Sequence, residues 1–237
     1  MEAAHARLGP SSAHRWLRCP ASIPLSDQLP PRPSGAAAAA GSVMHTVFER
    51  RLLNQHDFTH DEIELLAQFD VTESRARLIV DQAEQAARAA LHQHGLVEFL
   101  TEIRVDPGAV IGRTDFWGTA DLIAASPHTE TLLVGDLKTG RGKVEPEFND
   151  QLLAYGLGAL SMLKFTPRRI LLAVFQPPVY GKRAAVWETS PDVLSDFADY
   201  ARERAQLTDS SDTAPAPSAE ACQWCPAKAI CPAHAMA

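Results

Sequence analysis

Two acidic residues and a lysine in the middle of the chain have the spacing of a metal-dependent catalytic site. In GTADLIAASPHTETLLVGDLKTG, residues 118–140, Asp136 and Lys138 are two positions apart on a predicted strand, so their side chains project from the same face. Asp121 lies on the preceding predicted strand, which a short turn makes an antiparallel neighbour. Two converging carboxylates repel each other unless a cation lies between them. The pattern therefore predicts a Mg²⁺ or Mn²⁺ ion bound through oxygen atoms.

This combination of residue types suits the hydrolysis of a phosphodiester bond. A bound divalent ion activates a water molecule and offsets the negative charge that develops on the phosphate oxygens. Lys138, beside the metal, is expected to position the attacking water and to neutralise developing charge. His45, on the first long predicted helix, can add a metal ligand, because neutral imidazole suits Mn²⁺ better than Mg²⁺.

Gln151 and Tyr155 extend the predicted site. They are four positions apart in QLLAY on a predicted helix, so both face the same side. The pair is expected to hydrogen-bond a substrate phosphate and to order Lys138. Glu102, in TEIRV on the first predicted strand, is a weaker candidate, and a simple position at the edge of the sheet is the alternative.

Four cysteines form a second candidate cofactor site. Cys222, Cys225 and Cys231 have C-x2-C-x5-C spacing, and Cys19 lies far upstream. In a reducing compartment, closely spaced cysteines bind metal more often than they form disulfides. Four thiolates are the set that a 4Fe-4S cluster requires. A zinc ion is the alternative, with His234 able to replace Cys19 as the fourth ligand.

Composition limits the class of protein. The formal net charge of −7 differs from the general basic character of a histone-like DNA binder, so any contact with nucleic acid must be local. No apolar run approaches the roughly 18 residues that cross a membrane, and no secretory signal is visible. A cytoplasmic protein without a membrane partner is expected. No G-x4-G-K-[ST] motor segment occurs, so unwinding of DNA requires a partner such as a helicase or recombination protein.

The elements that position these residues alternate in the manner of an α/β protein. Helices are predicted at 11–19, 41–53, 72–94, 146–163 and 191–207. Strands are predicted at 97–105, 118–125, 131–138, 170–175 and 185–188. A proline- and serine-rich loop is expected at 26–35. The order gives a mixed sheet with helices on its faces. A domain is therefore expected at 1–208, followed by a linker at 209–220 and a cysteine tail at 221–237, in which Trp224 is expected to pack over the cluster.

Six segments together resemble a known nuclease superfamily: SSAHRWLRCP, GSVMH, GTADLI, GDLKTG, QLLAYGLG and CQWCPAKAIC. With these segments the chain resembles the PD-(D/E)xK nucleases, and among them the RecB-like exonucleases related to the CRISPR-associated and AddB-type enzymes. It is most similar to a phage and prophage branch that opens with a similar serine, tryptophan and cysteine-proline segment. Ala120 stands where some members have the proline that names the superfamily.

The resemblance implies a restriction-endonuclease-like core of αβββαβ order. The implied metal ligands are the side chains of His45, Asp121 and Asp136 and the backbone carbonyl of Leu137. Lys138 is implied to be catalytic, with accessory roles for Gln151 and Tyr155. The resemblance also implies that Cys19 joins the three C-terminal cysteines in a 4Fe-4S cluster that clamps the two ends of the domain together.

The function expected from these features is a Mg²⁺- or Mn²⁺-dependent deoxyribonuclease. It is expected to act as an exonuclease on single strands or DNA ends, in phage recombination, replication or defence. RNA is a further possible substrate, because no residue visibly reads a 2′-hydroxyl. One alternative is a non-catalytic member of the same fold that binds DNA or a partner. The other is a zinc-stabilised interaction module in which the cysteine tail is the functional part.

Overall fold

A five-stranded mixed sheet forms the centre of the computed structural model, which describes residues 6–30 and 35–234. The strands lie side by side in the order in which they occur in the chain. They are β1 (Phe99–Val105), β2 (Gly118–Ser126), β3 (Thr131–Leu137), β4 (Arg169–Phe175) and β5 (Ala185–Thr189). β3 and β4 are parallel, and the other neighbours are antiparallel. The predicted mixed sheet is confirmed.

Helices cover both faces of this sheet. They are α1 (Ala13–Trp16), α2 (Ser22–Ser26), α3 (Ala36–Leu52), α4 (His60–Gln68), α5 (Glu73–Gln93), α6 (Pro107–Ile111), α7 (Asp150–Met162), α8 (Pro177–Tyr180), α9 (Pro191–Leu207) and α10 (Ala219–Gln223). Short 3-10 helices occupy Pro10–Ser12 and Pro226–Ala229. No helix in the described ranges has the length and apolar content to span a membrane.

The alternation of side chains along β3 and β4 explains why helices lie on both faces. Leu132 and Val134 of β3 contribute to a core shared with α7 and α9, whereas Leu133 and Leu137 contribute to a core shared with α3 and α5. β3 is buried at every position and β4 at every position after its first, as is typical of strands at the centre of a sheet that is covered on both sides. The same period places Asp136 on the α7 face of β3.

Five of the helices in the described ranges, α2, α4, α6, α8 and α10, were not predicted. α4 begins with a capping box in which the Thr59 side chain accepts from the Glu62 N–H and the Glu62 carboxylate accepts from the Thr59 N–H. The sequence contains this T-x-x-E signal, although no helix was predicted there. α6 and α8 each begin with a proline at the first helical position. Proline suits a turn, but it is also favoured at the first position of a helix.

Several predicted boundaries were wrong. The segment 11–19 is a 3-10 turn followed by α1, which ends at Trp16 rather than at Pro20. α7 begins at Asp150 rather than near Pro146, because the Asn149 side chain caps its first backbone N–H groups. α10 begins at Ala219, inside the segment predicted as linker, with Ser218 as its cap. Within the predicted loop 26–35, residues 31–34 lie outside the described part of the chain.

Candidate active site

Asp121 is the residue around which the candidate site is built. Its Oδ1 atom lies 3.0 Å from Nδ1 of His45, which α3 presents to the end of the sheet. Its Oδ2 atom accepts a hydrogen bond of 2.6 Å from the backbone N–H of Leu137 on the neighbouring strand β3. The Asp121 side chain is 8% exposed. The carboxylate is therefore held between a helix and a strand before any ligand arrives.

Glu102 faces Asp121 across the first pair of strands. Thr101 of β1 pairs with Leu122 of β2, so the next position along β1 stands opposite Asp121. Glu102 itself has a φ of +46°, which is uncommon for a residue other than glycine. One ligand atom each from His45, Glu102 and Asp121 lies within 4.8 Å of the other two. Strained backbone of this kind is often found at functional sites, and here it accompanies a converging set of ligands.

A second group of contacts joins Asp136, Lys138, Gln151 and Tyr155. Lys138 Nζ donates to Gln151 Oε1 at 2.7 Å, and Gln151 Nε2 donates to Asp136 Oδ1 at 2.8 Å. Gln151 Nε2 also lies 3.1 Å from the Tyr155 hydroxyl. An ammonium only donates and a carboxylate only accepts, so the two charged neighbours determine the orientation of the amide. Gln151 thus holds the lysine and the aspartate in fixed relative positions.

Two local features bring this group to the end of the sheet. The strand ends at Leu137, but the Lys138 N–H continues the ladder by donating to Phe175 O at 2.8 Å, so Lys138 stays on the same face as Asp136. The Asn149 side chain accepts from the N–H groups of Gln151 and Leu152, each at 3.1 Å. Gln151 therefore lies in the first turn of α7, directed at the end of β3.

The electrostatics of the site favour a bound cation. Partial burial in the cleft and the nearby Asp121 charge raise the pKa of Glu102 to about 7. Burial also raises the pKa of Asp136, and Asp121 adds to this, although Lys138 opposes it. Burial lowers the pKa of His45, but the charge of Asp121 and its hydrogen bond outweigh burial and leave it raised. Such shifts are expected where carboxylates converge without a counter-ion.

Asp136 retains an unsatisfied oxygen beside this ligand set. Its Oδ2 atom lies 2.8 Å from Lys138 Nζ, yet it has no hydrogen-bond partner in residues 6–30 and 35–234. The two atoms are therefore close but poorly aligned. The Lys138 ammonium already offsets part of the charge of this buried carboxylate, and a cation with oxygen ligands is a further partner that suits it. The donor set and the orphaned oxygen both fit a hard divalent ion.

All of the predicted catalytic and metal residues line one cavity of about 540 Å³. They are His45, Asp121, Asp136, Leu137, Lys138, Gln151 and Tyr155, and Glu102 lines it as well. The compact ligand group nevertheless consists of His45, Glu102 and Asp121, whereas Asp136 contacts Lys138 and Gln151. Glu102 was underrated because its position on an edge strand did not reveal its distorted backbone.

The cysteine-bearing ends of the chain meet away from this cavity. All four cysteines are free thiols, and Cys19 is buried in a small cluster with Ala21 and Ala221. The Ala216 N–H donates to Cys19 Sγ at 3.4 Å, and α10 packs against α1. We call this region, residues 13–26 with 216–231, the cysteine junction. The compact group of possible metal ligands in the described residues contains no cysteine, so the four thiols match an iron-sulfur cluster or zinc in number and type only.

Trp224 follows the last residue of α10 and is 75% exposed among the described residues. Trp16, by contrast, is fully buried and forms an edge-to-face contact with Phe116 at 5.2 Å between ring centroids.

These features define a class: an α/β protein with a mixed five-stranded sheet, helices on both faces, and a cleft of carboxylates, histidine and lysine at one end of the sheet. The chain belongs to the family described as "Protein of unknown function (DUF2800)", whose model matches residues 5–237. It is also similar to a solved structure described as "Crystal structure of SSO0001", with 16% identity and a TM-score of 0.38 over 91% of this chain and 95% of that chain. A similarity at that level supports no conclusion about fold or activity.

Proposed function

We propose that this protein is a metal-dependent DNA nuclease of the PD-(D/E)xK type that hydrolyses phosphodiester bonds. The observation that supports it most is the convergence of His45, Glu102 and Asp121 ligand atoms within 4.8 Å, next to the contact between Asp136 and Lys138. Single strands or DNA ends are the proposed substrates. Exonucleolytic action, together with a helicase or recombination protein, is part of the same proposal.

The residues of the cleft divide into ligands and positioning groups. His45, Glu102 and Asp121 would hold Mg²⁺ or Mn²⁺, with Asp136 Oδ2 and the Leu137 carbonyl as further candidate ligands. When bound, the ion supplies Lewis-acid activation of water and of the phosphate. Nδ1 of His45 lies 3.0 Å from Asp121 Oδ1, and an ion held by both residues would take the place of this direct contact.

Lys138 is the cationic group proposed to act on the substrate. Its ammonium is held by Gln151 Oε1 at 2.7 Å and lies 2.8 Å from Asp136 Oδ2. A compact charge held in place before the reaction stabilises negative charge that develops on phosphate oxygens without a reorganisation cost. Tyr155 keeps its proton, because burial raises the pKa of its hydroxyl strongly, so it can donate a hydrogen bond but does not act as a base near neutral pH.

The cysteine junction is proposed to hold a 4Fe-4S cluster through Cys19, Cys222, Cys225 and Cys231, with zinc as the alternative. The bound group would supply covalent connections between two ends of the chain that are about 200 positions apart in sequence. Closing so long a loop stabilises the folded state at the expense of the unfolded chain's freedom. The role proposed for it is structural.

The proposal is tested by incubating anaerobically purified protein with end-labelled single- and double-stranded DNA in Mn²⁺, Mg²⁺ or EDTA. Cleavage is expected with either metal and is expected to stop in EDTA. Lys138→Ala should lower the rate by about 100- to 1000-fold, the loss seen when one transition-state donor is removed. A labelled RNA strand tested in parallel shows whether cleavage requires deoxyribose.

Lys164→Ala is the matched control. Lys164 is an exposed lysine two residues beyond the end of α7, which extends about 16 Å from Gln151 to its last residue, and its removal should leave the rate unchanged. A folded, cofactor-loaded protein that binds Mn²⁺ but cleaves neither strand form would contradict the nuclease proposal and would favour a non-catalytic DNA-binding role.

A further inference from the structure

A second cavity opens directly beside the candidate active site. Its volume is about 480 Å³, and it shares Ser11, Lys138 and Gln151 with the first cavity. The second cavity lies between the start of α7 and the end of α10. A chain whose phosphodiester group lies next to Lys138 would therefore have its neighbouring nucleotide at this opening.

Two exposed aromatic side chains line the second cavity. Trp224 is 75% exposed and Phe148 is 64% exposed. They come from separate elements, since Trp224 follows α10 and Phe148 precedes the Asn149 cap of α7. Large aromatic side chains usually bury most of their surface, so two of them left open around one cavity indicate a surface that is completed by a ligand.

The backbone at Phe148 adds an independent observation. Its φ is +50°, a left-handed conformation that costs free energy for a bulky residue. Its ring contacts Trp187 at 4.8 Å between centroids, which supports one face and leaves the side chain mostly exposed. The strained conformation thus holds an aromatic ring at the mouth of the cavity instead of in the core.

The polar lining distinguishes a base from a phosphate as the occupant. Four carboxylates line the cavity: Glu145, Glu147, Asp150 and Glu220. Arg18 pairs with Asp150 and Glu220, and Lys143 pairs with Glu145. A lining so rich in acids repels a row of phosphates. It does offer hydrogen-bond acceptors to the exocyclic amino groups of nucleobases, and aromatic faces stack on any base.

We propose that the second cavity binds an unstacked nucleobase of single-stranded DNA, with Trp224 and Phe148 as its stacking surfaces, while the adjoining phosphodiester lies in the first cavity. This inference rests on the proposed nuclease function and narrows it. In a duplex the bases are paired and stacked, so placing one in the cavity requires unpairing energy. Trp224 and Phe148 are thus specificity-determining residues that favour single strands and frayed ends.

Binding is measured without cleavage by fluorescence anisotropy in EDTA. The probes are a fluorescein-labelled DNA single strand of about 15 nucleotides, a length within one single-strand binding site, and the matching duplex. Trp224→Ala should weaken single-strand binding by roughly 5- to 150-fold, the loss of one stacked base. Binding of the duplex should change by less than about twofold, because its bases do not reach the cavity.

Trp224→Phe keeps an aromatic face and should retain most of the single-strand affinity. Phe148→Ala, from a different element, should weaken single-strand binding as well, so the test does not depend on a variant beside the cysteines. Tryptophan fluorescence of the wild-type protein should be quenched by the single strand, and Trp224→Phe should remove most of that quenching. Val97→Ala, an exposed apolar residue outside both cavities, should change nothing.

The outcomes separate this inference from the nuclease proposal. If Trp224→Ala and Phe148→Ala bind and cleave single strands as the wild-type protein does, the base-binding cavity is refuted and the nuclease can stand. If single-strand binding depends on both aromatic residues but no metal supports cleavage, the cavity stands and the nuclease is refuted. Failure of the wild-type protein to bind single-stranded DNA overturns the inference directly.

Discussion

The candidate active site and the cysteine junction are assembled in different ways. In the active-site cleft, Asp121 is fixed by Leu137 and His45, and Asp136 is fixed by Gln151, all through hydrogen bonds within or onto the sheet. The cysteine junction is built from short helices around a small apolar cluster of Cys19, Ala21 and Ala221. The cleft is therefore organised by hydrogen bonds to the sheet, whereas the junction is anchored in the main core by Trp16 and Leu17 and has only a small cluster around Cys19 itself.

Arg18 links the two regions. It pairs with Asp150 in the first turn of α7 and with Glu220 in the first turn of α10. α9 supports the same segment from behind, because Arg204 and Tyr200 donate to the backbone oxygen of Leu17 at 2.6 and 3.1 Å. The junction thus contacts the helix that carries Gln151 and Tyr155. A substitution that destabilises the junction is therefore expected to lower the activity of the cleft only partly.

The largest effect is expected from Asp121→Asn. The amide keeps an oxygen that can accept from the Leu137 N–H, so folding should persist, but the charge needed for the metal is lost. Cleavage should fall by about 100-fold or more, and Mn²⁺ binding measured by calorimetry should disappear. Wild-type Mn²⁺ affinity in this variant would show that Asp121 is not a ligand. The active-site cleft would then no longer differ from the cysteine junction in having a metal site organised by the sheet.

Cys222→Ser should affect stability before activity. Loss of one thiolate should release the tail and lower the free energy of unfolding by about 2 kcal/mol or more, which corresponds to roughly 4–8 °C in melting temperature for a domain of this size. The protein that remains folded should cleave within about tenfold of the wild-type rate. Melting scans, visible absorption of the cluster and limited proteolysis of segment 209–218 measure this. An unchanged melting temperature would contradict a structural role.

Gln151→Ala tests whether the cleft depends on its positioning contacts. The substitution removes the partner of Lys138 Nζ and of Asp136 Oδ1, and loss of such a supporting residue typically costs 10- to 100-fold in metal affinity or activity. The rate should fall by about that factor, with little change in melting temperature. Gln151→Glu, which keeps an acceptor for Lys138 but loses the donor to Asp136, should recover only part of the rate if both contacts matter.

The smallest effect is a pH dependence of stability in metal-free protein. Glu102 has a folded-state pKa of about 7, raised from 4.5 by burial and by Asp121. Between these values the folded protein holds a proton that the unfolded chain has released, so stability falls as pH rises from about 4.5 to 7. In EDTA, Glu102→Gln should therefore raise the melting temperature at pH 8 relative to wild type more than at pH 4.5. Equal shifts at both pH values would contradict the crowded-carboxylate interpretation.

Much of the fold was visible in local patterns. All five strands were predicted within about two residues of their observed ends, because apolar segments such as Leu132–Val134 and Ile170–Phe175 lie between turn residues. The long helices α5 and α9 were predicted from apolar residues at helical spacing. The short helices α6 and α8 were missed, since each is a proline-initiated turn whose sequence also suits a loop.

The candidate site, like the fold, was predictable from the sequence only in part. The sequence by itself determined which side chains can do chemistry: Asp136 and Lys138 share a face because the period of a strand is two, and Gln151 and Tyr155 share one because they are a helical turn apart. Only the tertiary structure decided that a possible ligand atom of Glu102 lies within 4.8 Å of those of His45 and Asp121, a group that does not include Asp136. This proximity depends on strand register and on a left-handed φ at Glu102. Both result from packing across the sheet, so no local pattern in the sequence predicts them.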